Sequence, residues 1–228
     1  MVAALSLRGL TKSYSASEQP ALAPLDLDVE SGQRVALVGH NGSGKTTLLR
    51  MTAGLLEPSD GEVHVSGHSG GSTAARAALS YLADNPTFYD DLSLREHLEY
   101  VARLHGVSDW SARAQALVDQ IGLTDRLDDL PNTFSRGLRQ KAAITLGFIR
   151  PFKLLLVDEP FVGLDAAGKA ALLEMFDDVS KRGATLVVAT HELSFVQRVD
   201  RLIALAEGQI RYDGAPGDTD VNTLVFHT

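Results

Sequence analysis

The chain has 228 residues, 44% of them hydrophobic and 22% charged, enough to bury a substantial core as one large domain or two small ones. Its 29 acidic and 21 basic side chains leave a net charge of −8, which excludes the basic excess needed for general affinity to nucleic acid or anionic lipid. Cysteine is absent, which excludes disulfides, thiolate metal sites and cysteine nucleophiles, and the sequence has no apolar run of about 18 residues to span a membrane.

The first 14 residues lack the basic start and long apolar middle of a signal peptide, so a protein retained inside the cell is expected. Segments 5–10 and 25–29 alternate apolar and polar residues, as half-buried antiparallel strands do. The apolar run 35–38, a cluster of glycines and a helical start at Lys45 together form the opening of a parallel α/β unit. Segments 62–65 and 77–82 read as further strands, separated by a loop rich in glycine and serine. From 94 to 148 the periodicity becomes helical. Leu94, Leu98 and Val101 share one face, as do Ala114, Leu117, Val118 and Ile121, with Gly106, Gly122 and Pro131 as punctuation. The α/β rhythm then returns, with a buried strand at 153–157, an amphipathic helix at 166–181, a buried strand at 185–189 and strands at 201–206 and 209–212. The expected organisation is one domain over 1–228, its core formed by 1–93 and 149–228 and interrupted by a helical insert at 94–148.

Two segments carry chemistry. Gly39-His40-Asn41-Gly42-Ser43-Gly44-Lys45-Thr46 matches the phosphate-binding loop pattern and is followed by Thr47. Glycines there let backbone N–H groups converge on phosphate oxygens, and the following helix adds its positive N-terminal end. Lys45 would reach the β and γ phosphates of ATP, and the Thr46 hydroxyl would ligate Mg²⁺. The second segment, Leu154-Leu155-Leu156-Val157-Asp158-Glu159, is an apolar strand ending in two acids. At the C-terminal end of a parallel strand Asp158 is placed to hold Mg²⁺ through water, and Glu159 to polarise the attacking water as general base.

With Phe134-Ser135-Arg136-Gly137-Leu138-Arg139-Gln140-Lys141 in view, the chain resembles the ATP-binding subunits of ABC transporters over essentially its whole length. That segment is similar to the family's LSGGQ signature, with Arg136 at the first glycine and Leu138 at the glutamine. The resemblance implies an α/β fold: a P-loop NTPase core with a mostly parallel sheet, an N-terminal antiparallel β part and an α-helical insert. It implies that Ser135 and Gly137 contact the γ-phosphate of ATP bound to the opposite subunit, and that Asp165, in Gly163-Leu164-Asp165, crosses the dimer interface. It implies a switch role for His191, which would hydrogen-bond the γ-phosphate and attacking water, and a stacking role for Tyr14 on adenine. Asp84 stands where the family usually carries a glutamine that touches Mg²⁺ or water.

The implied partners are a second ABC ATPase subunit, in a homo- or heterodimer, and a separate transmembrane permease, with the chain peripheral at the cytoplasmic face of the membrane. The adjacent aromatics Phe88 and Tyr89 fall where the family forms a groove for a cytoplasmic helix of the permease and are expected to anchor it, with room for one ring to pack inward. The short chain and the Tyr-Leu-x-acid variant before Pro86 lean towards exporter-type subunits. The alternative is a non-transport ABC ATPase acting on a cytosolic partner. Translation factors and DNA-repair or chromosome ATPases of the family are expected to show two modules, a long coiled-coil insert or zinc-binding cysteines, and the sequence shows none of these.

Three features point to packing or solvation. His64 and His68 have helical metal-ligand spacing, but Val63, Val65 and the neighbouring glycines imply a strand and turn. Trp110, after Ser108-Asp109, reads as a packing residue at a helix start, and Arg136, Arg139 and Lys141 as a solvated basic face.

Overall fold

A computed structural model describes residues 3–14 and 19–218. In chain order the elements are β1 (Leu5–Lys12), β2 (Leu22–Val29), β3 (Arg34–Val38), α1 (Lys45–Thr52), β4 (Asp60–Val65), β5 (His68–Ser69), α2 (Thr73–Ala78), β6 (Leu79–Leu82), α3 (Leu94–Leu104), α4 (Trp110–Ile121), α5 (Arg136–Ile149), β7 (Leu154–Asp158), α6 (Ala166–Lys181), β8 (Thr185–Ala189), α7 (Leu193–Val196), β9 (Arg201–Ala206) and β10 (Gln209–Gly214).

Two sheets organise them. The smaller is antiparallel, in the order β2-β1-β4-β5, with Leu5 opposite Val29 on one side and Val65 on the other. The larger runs β10-β9-β3-β8-β7-β6 and is parallel except for β10, which returns antiparallel to β9. The core strands β7 and β8 are buried at every residue. Because side chains alternate across a strand, each such strand feeds two cores at once. Ala36, Val38, Leu155, Val157, Leu186 and Val188 face one core, which also takes the buried faces of α3, α4, α5 and α6. Val35, Leu37, Leu154, Leu156, Val187 and Ala189 face the other, shared with α1 and the antiparallel sheet.

The helical segment is sealed onto the first core rather than appended to it. A capping box starts α3, with Ser93 accepting from the Glu96 N–H and the Glu96 carboxylate accepting from the Ser93 N–H. Leu94, Leu98 and Ala102 are then fully buried along one stripe. Phe148 on α5 packs against Phe176 on α6, which in turn meets Phe195 on α7 with ring centroids 5.4 Å apart. Trp110 opens α4 and packs against the same core.

The structure departs from the sequence reading in three places and decides a fourth point. Ala77 and Ala78 close helix α2 and do not begin a strand. The run AALSYL fits either period, and Ser72, which accepts from the Ala75 N–H, caps an alanine-rich turn of helix first. α7 is four residues long, too short to show periodicity. Lys141 does not belong to a solvated face: its ammonium is largely covered and stands 3.4 Å from Asp165. Phe88 turns into the helical core and leaves Tyr89 as the exposed ring of the pair, stacked on His97.

Because Leu98 belongs to the same core as the central strands, Leu98→Ala is expected to lower the stability of the whole protein by about 2–5 kcal/mol. A urea titration followed by circular dichroism should show one shifted transition rather than separate loss of the helical segment.

Candidate active site

Four neighbouring strands deliver their C-terminal ends to one edge. Register places Ala189 opposite both Leu37 and Asp158, and Leu82 opposite Val157, so the chain leaves β3, β8, β7 and β6 side by side. Open α/β sheets bind ligands at this edge. There Asn41 to Thr47, Asp84, Asp158, Glu159 and Ala21 enclose a cavity of about 340 Å³.

The loop after β3 is shaped by close approach. Gly39 has φ +149°, and a Cβ on it would run into the carbonyl oxygen of Leu205. Gly44 takes a left-handed conformation ahead of α1 and supplies no side-chain cap, so the first-turn N–H groups of that helix have no side-chain acceptor. The Ser43 hydroxyl is buried and unpartnered. Lys45 is buried, and its ammonium donates to the carbonyls of Gly39 and His40. Burial lowers its pKa, while the nearby charges of Glu159 and Asp158 raise it.

The two acids are dehydrated differently. Asp158 is 1% exposed, and neither carboxylate oxygen accepts a hydrogen bond of standard geometry. Burial raises its pKa, against the opposing pull of the Thr46 hydroxyl and Lys45. Glu159 sits in a left-handed conformation, φ +45°, which is strained for a side chain with a Cβ, and its N–H is held by the Ala189 carbonyl at 2.8 Å. That turn aims its carboxyl away from the strand and across to His191, whose Nε2 lies 3.2 Å from Oε1. Burial, reinforced by Asp158 and Asp84, lifts Glu159 to about 7. Burial, and secondarily Lys45, depress the His191 pKa, so the imidazole is neutral at pH 7.

The structure therefore brings together the loop residues, Asp84, Asp158, Glu159 and His191. Asp84 lies on the cavity wall with one carboxylate oxygen accepting from the Asn85 amide at 2.9 Å. Ser135, Gly137, Asp165 and Tyr14 do not line the cavity. Ser135 caps α5, accepting from the Leu138 N–H at 3.4 Å. A Cβ on Gly137 would stand 2.5 Å from the Gly163 carbonyl oxygen, so that glycine lets α5 abut the loop after β7. Asp165 caps α6, accepting from the Gly168 N–H at 2.8 Å. Tyr14 is exposed at the end of β1, with the Lys12 ammonium 5.5 Å from its ring centroid. His64 lies on β4 and His68 on β5, two strands rather than one helix.

Sequence reasoning assigned no role to two residues near the acids. Gln140 is buried and donates to the Pro160 carbonyl at 3.2 Å, fastening α5 to the backbone just beyond Glu159. The Tyr81 phenol is pushed to about 12 by burial and by Asp158, so it stays protonated beside the acid. An uncharged glutamine between Arg139 and Lys141 was the available signal for the first. Nothing local distinguishes Tyr81.

The family profile described as ABC transporter matches residues 22–162, more than half of the sequence. The chain belongs to the ABC transporter family, as one of its ATP-binding, ATP-hydrolysing subunits. Among ABC relatives, the ABC-type transporter ATP-binding protein EcsA of Bacillus subtilis (strain 168) is 34% identical over 215 residues, which cover 92% of this chain and 86% of that protein. The solved structure of an ATP-binding subunit of an ABC transporter is 31% identical with a TM-score of 0.86, covering 94% of this chain and 90% of that one. A dimeric ATP-binding cassette in a post-hydrolysis state, bound to ADP and Pi, has the same ABC fold at 23% identity, with a TM-score of 0.86 over 93% of this chain and 98% of that one.

The shifted acid makes stability depend on pH. A carboxyl group raised from its ordinary 4.5 to about 7 adds stability below pH 4.5 and loses that contribution as pH rises to 7. Asp158, also raised, acts in the same direction. Thermal unfolding of the nucleotide-free protein in chelator should therefore fall in midpoint across that window. Glu159→Gln should flatten the slope and leave the variant the more stable protein at pH 8.

Proposed function

We propose that the cavity holds the phosphates of ATP and that Glu159 activates the water that hydrolyses it, the energy being used to move a substrate through a separate membrane subunit. The observation that carries this reading is the buried Asp158 and half-buried Glu159 lining one cavity with Lys45 and the glycine loop. The uncapped helix start and the orphaned Ser43 hydroxyl suit phosphate oxygens, and Lys45 supplies a positive charge there.

A divalent cation fits the donor set, since both oxygens of Asp158 lack partners and the Thr46 hydroxyl adjoins them. Thr46 and Asp158 would hold Mg²⁺, with Asp84 contributing from the wall. When bound, it neutralises charge between the β and γ phosphates. Glu159, near its own midpoint at pH 7, accepts the proton of the attacking water. His191, neutral and 3.2 Å from that carboxyl group, has a single N–H and orients the carboxylate with it.

Ser135 and Gly137 lie off this cavity, which supports a site completed by a second subunit whose signature segment covers the ATP. A homodimer or a heterodimer satisfies this equally. Among the described residues no helix is long and apolar enough to cross a membrane, and the proposed reading has a separate permease with this chain at its cytoplasmic face. The groove for it is a hollow of about 380 Å³ beside Pro86, Phe88, Val101, Leu104 and Leu146. Phe88 forms its floor, and Leu104, 67% exposed at the end of α3, is the free apolar anchor.

Two experiments test the two halves of this reading. Glu159→Gln should cut hydrolysis by about 10²- to 10⁴-fold while retaining ATP binding. The variant should then accumulate an ATP-bound dimer, and light scattering that finds only monomer with MgATP at high protein concentration would count against the shared site. Leu104→Glu should weaken capture of a co-expressed membrane protein by about tenfold or more without changing fluorescent-ATP binding. Equal loss of both would mark Leu104 as structural.

A further inference from the structure

His191 is held between two anchored neighbours. On one side Thr190, 1% exposed, donates its N–H to the Leu37 carbonyl at 3.1 Å, which ties it to β3. On the other side Glu192 donates its N–H to the Thr190 hydroxyl at 3.0 Å, and its carbonyl receives the N–H groups of Phe195 and Val196, both buried. The Glu192 side chain does not turn to solvent. One oxygen lies 2.5 Å from the Lys169 ammonium on α6 and the other accepts from the Ser194 hydroxyl at 2.9 Å. Lys169 is one helical turn beyond Asp165, to whose carbonyl its N–H is bonded at 2.9 Å.

These contacts close a ring. From Glu159 the chain runs through the loop 160–165 into α6, crosses by Lys169 to Glu192, and returns through His191 to the Glu159 carboxyl group. Without the Lys169–Glu192 contact the ring is open, and the turn carrying His191 keeps Thr190, the short α7 and its own N–H towards the Glu159 carboxyl group. We propose that Lys169 and Glu192 are positioning residues, a strut between α6 and the turn after β8 that fixes the His191 imidazole against Glu159. The inference rests on the role given above to His191. Half-exposed ion pairs add little to global stability, so the strut's effect belongs to geometry rather than to the fold. A small displacement of a group that acts on the reacting atoms is enough to slow turnover.

The test uses the full chain with MgATP. Lys169→Ala and Glu192→Ala should each lower kcat by about tenfold, with KM for ATP within about twofold of the parent. Their melting temperatures should move by no more than about 3 °C. Lys169→Arg should keep most of the activity. In a His191→Ala background Lys169→Ala should cause no further loss, because the strut acts only through that ring. The His191 ring resonances, assigned by their absence in His191→Ala, should shift in Lys169→Ala and Glu192→Ala and stay in place in Lys169→Arg. Unchanged kcat, unmoved ring resonances, or an equal loss in the His191→Ala background would overturn the strut alone. If His191→Ala by itself left turnover intact, the reading of His191 would fall and the strut with it.

Discussion

Burial of Asp158, with Glu159 half-buried beside it, at the end of a strand with no solvent-facing side is the constraint on which the site depends. β7 is covered on both faces, so the acids that follow its apolar run stand where water is scarce. A carboxylate in that position is costly unless a cation or hydrogen-bond donors meet it. Lys45 is the nearby protein cation, and it is itself bound to two loop carbonyls. The result is a site short of positive charge and of donors to Asp158, with Glu159 raised towards neutrality. A metal ion with phosphates would relieve both deficits, and the same environment depresses the His191 pKa beside Glu159.

The two-faced sheet also explains how distant segments report on that edge. One core joins the central strands to α3, α5 and α6, so the helical segment shifts only if the sheet's own packing accommodates it. Specific contacts refine this coupling. Gln140 on α5 holds the backbone beyond Glu159, Lys141 pairs with the Asp165 cap of α6, and Gly137 admits the Gly163 carbonyl at close range. On the proposed reading, the signature segment of one subunit meets ATP on another. These contacts would carry that encounter back to the chain's own acids as a rigid-body displacement of α5 and α6.

The motifs were legible because their chemistry needs contiguous residues. Four residues between Gly39 and Gly44-Lys45 are the length at which a backbone wraps a phosphate, and an apolar run ending in Asp158-Glu159 marks a buried strand emerging at an edge. The parallel core strands and the long helices were likewise set by period along the chain, with Gly122 marking a helix end. Burial on both faces is written directly into the unbroken apolar runs 35–38, 154–157 and 186–189.

Only the tertiary structure decided which side chains meet across the chain. No periodicity says that Phe88 turns inward and Tyr89 outward, because both rings fit the same loop and the choice follows from room in the helical core. The split of 77–82 between helix and strand was settled by pairing of β6 with β7, a partner 75 residues away in sequence at Leu79 and Leu154. The strain at Glu159 and its contact with His191, like the approach of Lys169 to Glu192, exist because strand register fixes where each chain segment leaves the sheet. Local sequence determines which groups are available and which elements carry them. The pKa of about 7 at Glu159 arises from water excluded by residues remote in sequence, and that exclusion exists only in the packed fold.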